Sequence, residues 1–260
     1  MSGKVVWVTG ASSGIGESLA YALAARGANL ALSSRREDVL RKVQSACDRA
    51  EQHLVLPLDM LRIDSFQPAV QAVLEKFGRV DVLVHCAGLS QRSRAIETQL
   101  DVDRRIMEIN YFGPVALTKQ LLPSMIAHGS GHIVVISSLL GKFGAPTRTA
   151  YCASKHALHG FFDALRAEVY THGIAVTLVC PGFVRTNASM NALTGDGTVH
   201  GKMDAVIAKG LPSDECARQI VQAIERRRGE AYIGKERFAV YLNRLAPRLF
   251  SRLIRSRKFK

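Results

Sequence analysis

The chain has 260 residues, 47% of them hydrophobic and 22% charged, which suits one domain with a full-sized core and excludes disordered and collagen-like chains. The net charge of +13 is uneven, because Lys235 to Lys260 hold nine basic residues and one acid, Glu236. The charge therefore belongs to the tail, which argues against a nucleic-acid footprint spread over the whole body.

No apolar run approaches the ~20 residues needed to span a bilayer. Lys4-Val5-Val6-Trp7-Val8 leads into a glycine loop and reads as a first strand, not a signal peptide, so a cytoplasmic location is expected. Cys47, Cys86, Cys152, Cys180 and Cys216 are scattered, odd in number and form no CxxC pair, as buried reduced thiols would be. Cys152, His156 and His159 have a metal-like spacing without a further ligand cluster, and no metal site is expected.

Short apolar runs at 5–8, 30–33, 54–58, 80–85, 132–137, 175–180 and 231–233 read as strands buried on both faces of a parallel sheet. Helical patterns at 14–26, 36–49, 63–77, 101–128, 149–172 and 214–228 alternate with them. This β-α-β alternation predicts an α/β fold: a single-domain Rossmann fold over 1–234, a doubly wound parallel sheet of about seven strands with helices on both faces. Residues 185–211 have no clear pattern and follow a strand end, where α/β enzymes build substrate lids.

The first strand ends in Thr9-Gly10-Ala11-Ser12-Ser13-Gly14-Ile15-Gly16 and a helix follows. Glycines there let the backbone approach a pyrophosphate, and the helix N-terminus offers it free N–H groups and a positive dipole end. Gly10, Ser12, Ser13, Gly14, Ile15 and Gly16 are therefore expected to cradle a dinucleotide. An NAD site places a carboxylate about 20 residues on, for the ribose 2′-hydroxyl. Here the second strand ends in Ser33-Ser34-Arg35-Arg36, with two guanidiniums suited to a 2′-phosphate, so the expected cofactor is NADP(H), held by Ser34, Arg35 and Arg36. Asp59 and Met60 end the third strand beside the adenine, and Cys86-Ala87-Gly88 ends the fourth, where small residues let the cofactor lie on the backbone.

Tyr151 and Lys155 are one helical turn apart and share a face. A free phenol titrates near pH 10, so a neighbouring ammonium, together with the positive nicotinamide ring, is expected to lower the Tyr151 value until it exchanges protons readily. Ser138 ends a strand and can hold a substrate oxygen. With these residues the chain resembles the short-chain dehydrogenases/reductases of the ~250-residue branch, in which a minimal Rossmann domain also carries the substrate site. The likeness runs from about 4 to 233 through the glycine loop, Asp59, Ala87-Gly88, Asn110, Ser138, Tyr151, Lys155 and Pro181-Gly182-Phe183-Val184-Arg185-Thr186. The resemblance implies four catalytic residues, Asn110, Ser138, Tyr151 and Lys155. It further implies that Asn110 kinks its helix and holds a proton-relaying water, that Lys155 binds the nicotinamide ribose, and that Pro181, Gly182, Val184 and Thr186 meet the nicotinamide end. It also implies a homodimer or homotetramer paired through the helices of Asn110 and Tyr151. The family's Asn-Asn-Ala-Gly is His85-Cys86-Ala87-Gly88 here, with His85 read as a packed structural histidine.

The expected substrate is an apolar carbonyl compound or alcohol, walled by Leu89, Ser90, Leu139, Leu140, Phe143, Phe183, Met190 and Leu193, with Ser90, Leu140, Phe183 and Met190 as contacts. Arg92, Arg94 and Arg185 read as surface groups. The resemblance extends to members acting on steroids, retinoids and lipid-like carbonyls. Residues 235–260 form a basic amphipathic tail, a helix or helix pair broken near Pro247. Three surfaces remain open for it: an anionic membrane, a partner subunit, or its own domain. A non-catalytic NADP(H) sensor is the alternative function, and no nucleic-acid partner is expected because no stacking platform or reading module accompanies the basic tail.

Overall fold

A computed structural model describes residues 1–256, so the last four residues of the expected tail lie outside the described residues. The strands are β1 (Val5–Thr9), β2 (Asn29–Ser33), β3 (Leu54–Val55), β4 (Val82–His85), β5 (Gly131–Ile136), β6 (Ile174–Pro181) and β7 (Glu230–Ile233). They form one parallel sheet in the order β3-β2-β1-β4-β5-β6-β7. The strand order reverses between β1 and β4, and a crevice opens at that switch point outside the carboxyl ends.

The helices are α1 (Gly14–Ala24), α2 (Glu37–Ser45), α3 (Phe66–Phe77), α4 (Leu100–Met107), α5 (Gly113–Ala127), α6 (Thr149–Glu168), α7 (Ala205–Ala208), α8 (Ser213–Glu225), α9 (Phe238–Leu245) and α10 (Pro247–Ser256). Side chains alternate across the sheet. Val6 and Val8 pack with Leu19 and Leu23 of α1 and Ile220 of α8 on one face, while Trp7 packs with Phe66 of α3, Leu117 of α5 and Phe162 of α6 on the other. Helices thus cover both faces, which is why the strands read as unbroken apolar runs.

Two elements differ from the sequence reading. The third strand was expected to reach 58 but ends at Val55. Leu56 still donates its N–H to the Leu32 carbonyl and Leu58 to the Ser34 carbonyl, both at 2.9 Å, but β2 itself ends at Ser33, and Pro57, without an N–H, occupies the open edge between them. The helix expected over 101–128 is divided: a π-turn, Glu108–Phe112, separates α4 from α5. Gly113 follows it because a Cβ there would stand 2.9 Å from the Met60 carbonyl oxygen.

His85 and His132 are buried in the sheet, where Nε2 of each pairs with a threonine hydroxyl, Thr118 at 2.8 Å and Thr177 at 2.7 Å. Burial holds their pKa values down, to about 3 and about 4. The unfolded chain takes up these protons near pH 6.5 and the folded chain does not, so stability is lost as pH falls below about 6.5, by up to about 1.4 kcal/mol per pH unit for each histidine. Denaturant midpoints measured from pH 7 to pH 4.5 should fall in that window, and His132→Gln should flatten the slope.

Candidate active site

The switch-point crevice is a single cleft of about 1400 Å³ bordered by the carboxyl ends of β1, β2, β4, β5 and β6 and by residues of α9 and α10. Every residue assigned above to cofactor binding borders it. Gly10 adopts φ +69°, and a Cβ there would stand 2.7 Å from the Ala87 backbone, so β1 and β4 meet closely under the loop. Thr9 fastens the same junction: its Oγ1 accepts N–H bonds from Cys86 at 3.2 Å and Ala87 at 3.3 Å and lies 3.3 Å from the Val84 carbonyl oxygen. This brace does structural work at the strand that lacks the family's asparagines. Beyond Ser13, α1 turns its first N–H groups toward the cleft, the anion-binding geometry the glycine loop predicts. Arg36 Nη2 donates to Ser12 Oγ at 3.2 Å, so this arginine closes over the loop.

Helix α6 carries Tyr151 and Lys155, and four contacts fix its position. The Ala150 N–H donates to the buried Gln91 Oε1 at 2.9 Å at the helix start. Ser137 Oγ, at the end of β5, donates to the Lys155 carbonyl at 3.3 Å. Asn110 Nδ2 donates to Ser154 Oγ at 3.0 Å and to the Leu89 carbonyl at 2.8 Å, while its Oδ1 accepts the Leu89 N–H at 2.7 Å. Farther along, Arg166 Nε donates to the Val176 carbonyl at 2.9 Å. The π-turn aims Asn110 between α6 and the end of β4. Its side chain is committed to bracing and does not border the cleft, so the kink expected of it is present and its side chain clamps the site from behind.

Lys155 Nζ donates to the Ile136 carbonyl at 2.8 Å and lies 5.7 Å from the Tyr151 ring centroid. Burial pushes its ammonium down to about 8. Burial also pushes the Tyr151 phenol above its ordinary value, opposed by a hydrogen bond with Ser138 and by the positive charges of Arg92 and Arg148. The lowering of Tyr151 expected from Lys155 is not found within the protein alone: desolvation is the largest cause, and the charges that oppose it are those of Arg92 and Arg148. Ser138 Oγ also accepts the Leu140 N–H at 3.1 Å, which orients it at the end of β5.

Of the four expected substrate contacts, Ser90, Leu140 and Phe183 border the cleft. Met190 does not, and is 38% exposed; its carbonyl accepts the Gly201 N–H at 2.9 Å while its side chain stays outside the cleft. Arg92, read as a surface group, is buried and borders the cleft. Sequence reasoning also missed Arg148 and the tail residues Tyr241, Leu242 and Phe250, which border the cleft, and Asp204, which pairs with Arg92 and Arg148. In the tail, Val240 packs on Leu139 and Cys180, and Phe250 stands edge-on to Phe143 with centroids 4.9 Å apart. These apolar positions of the amphipathic pattern face the chain's own domain. Among the described residues no helix is long and apolar enough to cross a membrane. His159, Cys180 and Glu230 lie within 4.8 Å of one another, but Lys142 Nζ already pairs with Glu230 at 2.6 Å and burial raises the Cys180 thiol.

Residues 4–196 match the family model described as short chain dehydrogenase. The chain belongs to the short-chain dehydrogenase/reductase family. A dehydrogenase/reductase SDR family protein 7-like of Drosophila melanogaster is 44% identical over all of this chain and 82% of its own length. Dehydrogenase/reductase SDR family member 7B of Bos taurus is 43% identical over 98% of this chain and 82% of its own. Among solved structures, a short-chain dehydrogenase from Streptomyces avermitilis superimposes with a TM-score of 0.83 at 30% identity, covering 97% of this chain and 96% of that one. A short-chain dehydrogenase/reductase from Burkholderia phymatum in complex with NAD has the same fold, with a TM-score of 0.83 at 24% identity and 95% of each chain covered. The chain is thus an oxidoreductase of this family with its nucleotide-binding fold.

Thr9 offers a direct check on the junction beneath the cleft. Thr9→Val keeps the shape and removes the acceptor for two backbone N–H groups, so stability should fall by about 1–3 kcal/mol, read from urea denaturation.

Proposed function

We propose that this oxidoreductase uses NADP(H) to move a hydride to or from the carbonyl carbon of a largely apolar substrate, with Tyr151 handling the proton. The observation that carries this reading is the convergence of Tyr151, Ser138 and the buried Lys155 on the same cleft as the glycine loop. The fit of a dinucleotide is supported by the free N-terminus of α1 and by the tight Gly10–Ala87 approach beneath it.

A bound nicotinamide supplies the hydride in reduction and accepts it in oxidation. Tyr151 donates its phenolic proton to the substrate oxygen as a carbonyl becomes an alcohol, and takes it back in the reverse direction. Ser138, beside Tyr151 in the cleft, holds that oxygen and stabilises its developing charge. Lys155 is placed to hold the ribose and, by its charge, to ease proton loss from Tyr151. Asn110 and Gln91 act through α6 by keeping its first turns aimed at the cleft. Arg35 and Arg36 stand where a carboxylate would repel a 2′-phosphate, which supports NADP(H) over NAD(H). The NAD of the Burkholderia phymatum structure is that protein's ligand, and the cofactor choice here rests on this chain's own second strand. With all four family positions intact, nothing favours a binding-only role.

Two measurements test the reading. NADPH consumption screened across aldehydes, quinones and steroid and retinoid carbonyls should find turnover that Tyr151→Phe lowers by about 10²- to 10⁴-fold with NADPH affinity nearly unchanged; unaltered turnover would refute the role of Tyr151. Titration of both cofactors should show tighter binding of NADPH, and Arg35→Asp should reduce that preference by roughly tenfold or more. A wild-type preference for NADH would overturn the cofactor assignment.

A further inference from the structure

Two arginines beside Tyr151 have no task in the hydride-transfer reading. Arg92 follows β4 and Arg148 immediately precedes α6, and both border the cleft with side chains only 8% and 12% exposed. A guanidinium at that depth is tolerated only against an anion or a full set of acceptors. The anion is Asp204, which comes from the segment expected to form the lid and stands at the foot of α7. Its Oδ2 accepts from Arg92 Nε and from Arg148 Nη2, both at 2.9 Å, and lies 2.8 Å from Arg92 Nη2 in the ion pair.

The arginines are held in place independently of that carboxylate. Arg92 Nη1 donates to Ser90 Oγ and to the Gln91 carbonyl, both at 2.7 Å. Arg148 Nη1 donates to Thr147 Oγ1 at 2.6 Å, and Thr147 has φ +63°, a left-handed conformation that β-branched residues disfavour. The two cations are therefore aimed at one point, beside the residue whose hydroxyl meets the reacting oxygen. The planar fork of Arg92 presents two parallel donors to it, the arrangement that suits a carboxylate or a phosphate. Leu140, Phe143, Leu242 and Phe250 give the wall an apolar stretch.

We propose that Arg92 and Arg148 are the seat for an anionic group of the substrate, a carboxylate or a phosphate, and that Asp204 is the chain's own stand-in, displaced when the substrate arrives. The proposal deepens the oxidoreductase reading and rests on it. It makes the substrate an amphiphile, with its anionic end near the reacting carbonyl and its apolar remainder along the wall that α9 and α10 complete. Exchange of one anion for another keeps both buried guanidiniums paired, while Asp204 carries its charge into water.

The test begins with binding, which needs no turnover. Calorimetry on the full chain with NADP⁺ present compares a medium-chain carboxylate, the matching alkyl phosphate and the matching primary amide. Wild type should bind at least one of the anions about tenfold tighter than the amide, and the tighter of the two identifies the head group. Arg148→Gln should collapse the anion-to-amide ratio, whereas Asp204→Asn should raise it severalfold by removing the competing carboxylate. Opposite signs from these two variants distinguish a seat with a stand-in from an ion pair that merely holds the lid, which would shift both in one direction. Equal binding of amide and both anions by wild type, or parallel shifts in the two variants, would overturn the proposal. Kinetics with a medium-chain 3-oxo carboxylate and its methyl ester separate the two levels. Turnover of the ester with no preference for the acid defeats the anion seat alone, and anion binding without turnover of any carbonyl defeats the oxidoreductase reading alone.

Discussion

An ammonium group buried among the carboxyl ends of the central strands is the constraint around which the site is built. Lys155 is 5% exposed, and in that setting its charge is costly unless an acceptor is fixed within reach. The Ile136 carbonyl provides one because β5 ends there and α6 passes directly above it. The cost appears as an ammonium pushed down to about 8, and the remaining clamps on α6 keep that arrangement from relaxing. Gln91 holds the helix start, Ser137 the turn at Lys155, and Asn110 the turn between Tyr151 and Lys155. Each comes from a different part of the chain, so the site is assembled by the sheet topology and not by any local segment.

The same burial raises the phenol of Tyr151. Desolvation favours the neutral phenol, which suits a proton donor in carbonyl reduction and makes the phenolate needed for alcohol oxidation harder to reach. Positive charge brought into the cleft shifts that balance. Arg92 and Arg148 supply part of it from the protein, and an oxidised nicotinamide would supply more.

Much of this was legible in the sequence, for identifiable reasons. Strands buried on both faces leave unbroken apolar runs, and the glycine loop, Ser34-Arg35-Arg36 and Tyr151/Lys155 are local patterns whose spacing carries their geometry. Contacts between distant segments left no such trace. The Arg92–Asp204 pair joins residues 112 positions apart, so Arg92 read as one more surface arginine and Asp204 as part of an unpatterned loop. The π-turn at Asn110 left no mark on the pattern, because one extra residue in a turn hardly disturbs helical periodicity, and the kink there was expected only from the family resemblance. The tail was ambiguous for another reason: an amphipathic pattern is the same whether its apolar side meets lipid or protein. Phe250 against Phe143 and Val240 against Leu139 show that at least those positions meet the chain's own domain.

The most direct measurement of the central claim is the titration of Tyr151 itself, by NMR of protein carrying ¹³Cζ-labelled tyrosine, with and without NADP⁺ and in Lys155→Met. The free protein should hold the phenol above its ordinary value near pH 10. NADP⁺ should lower it by about one to three units, with a smaller drop when Lys155 is replaced. A Tyr151 resonance that titrates identically with and without NADP⁺ would contradict the assignment of Tyr151 as the group whose proton accompanies the hydride.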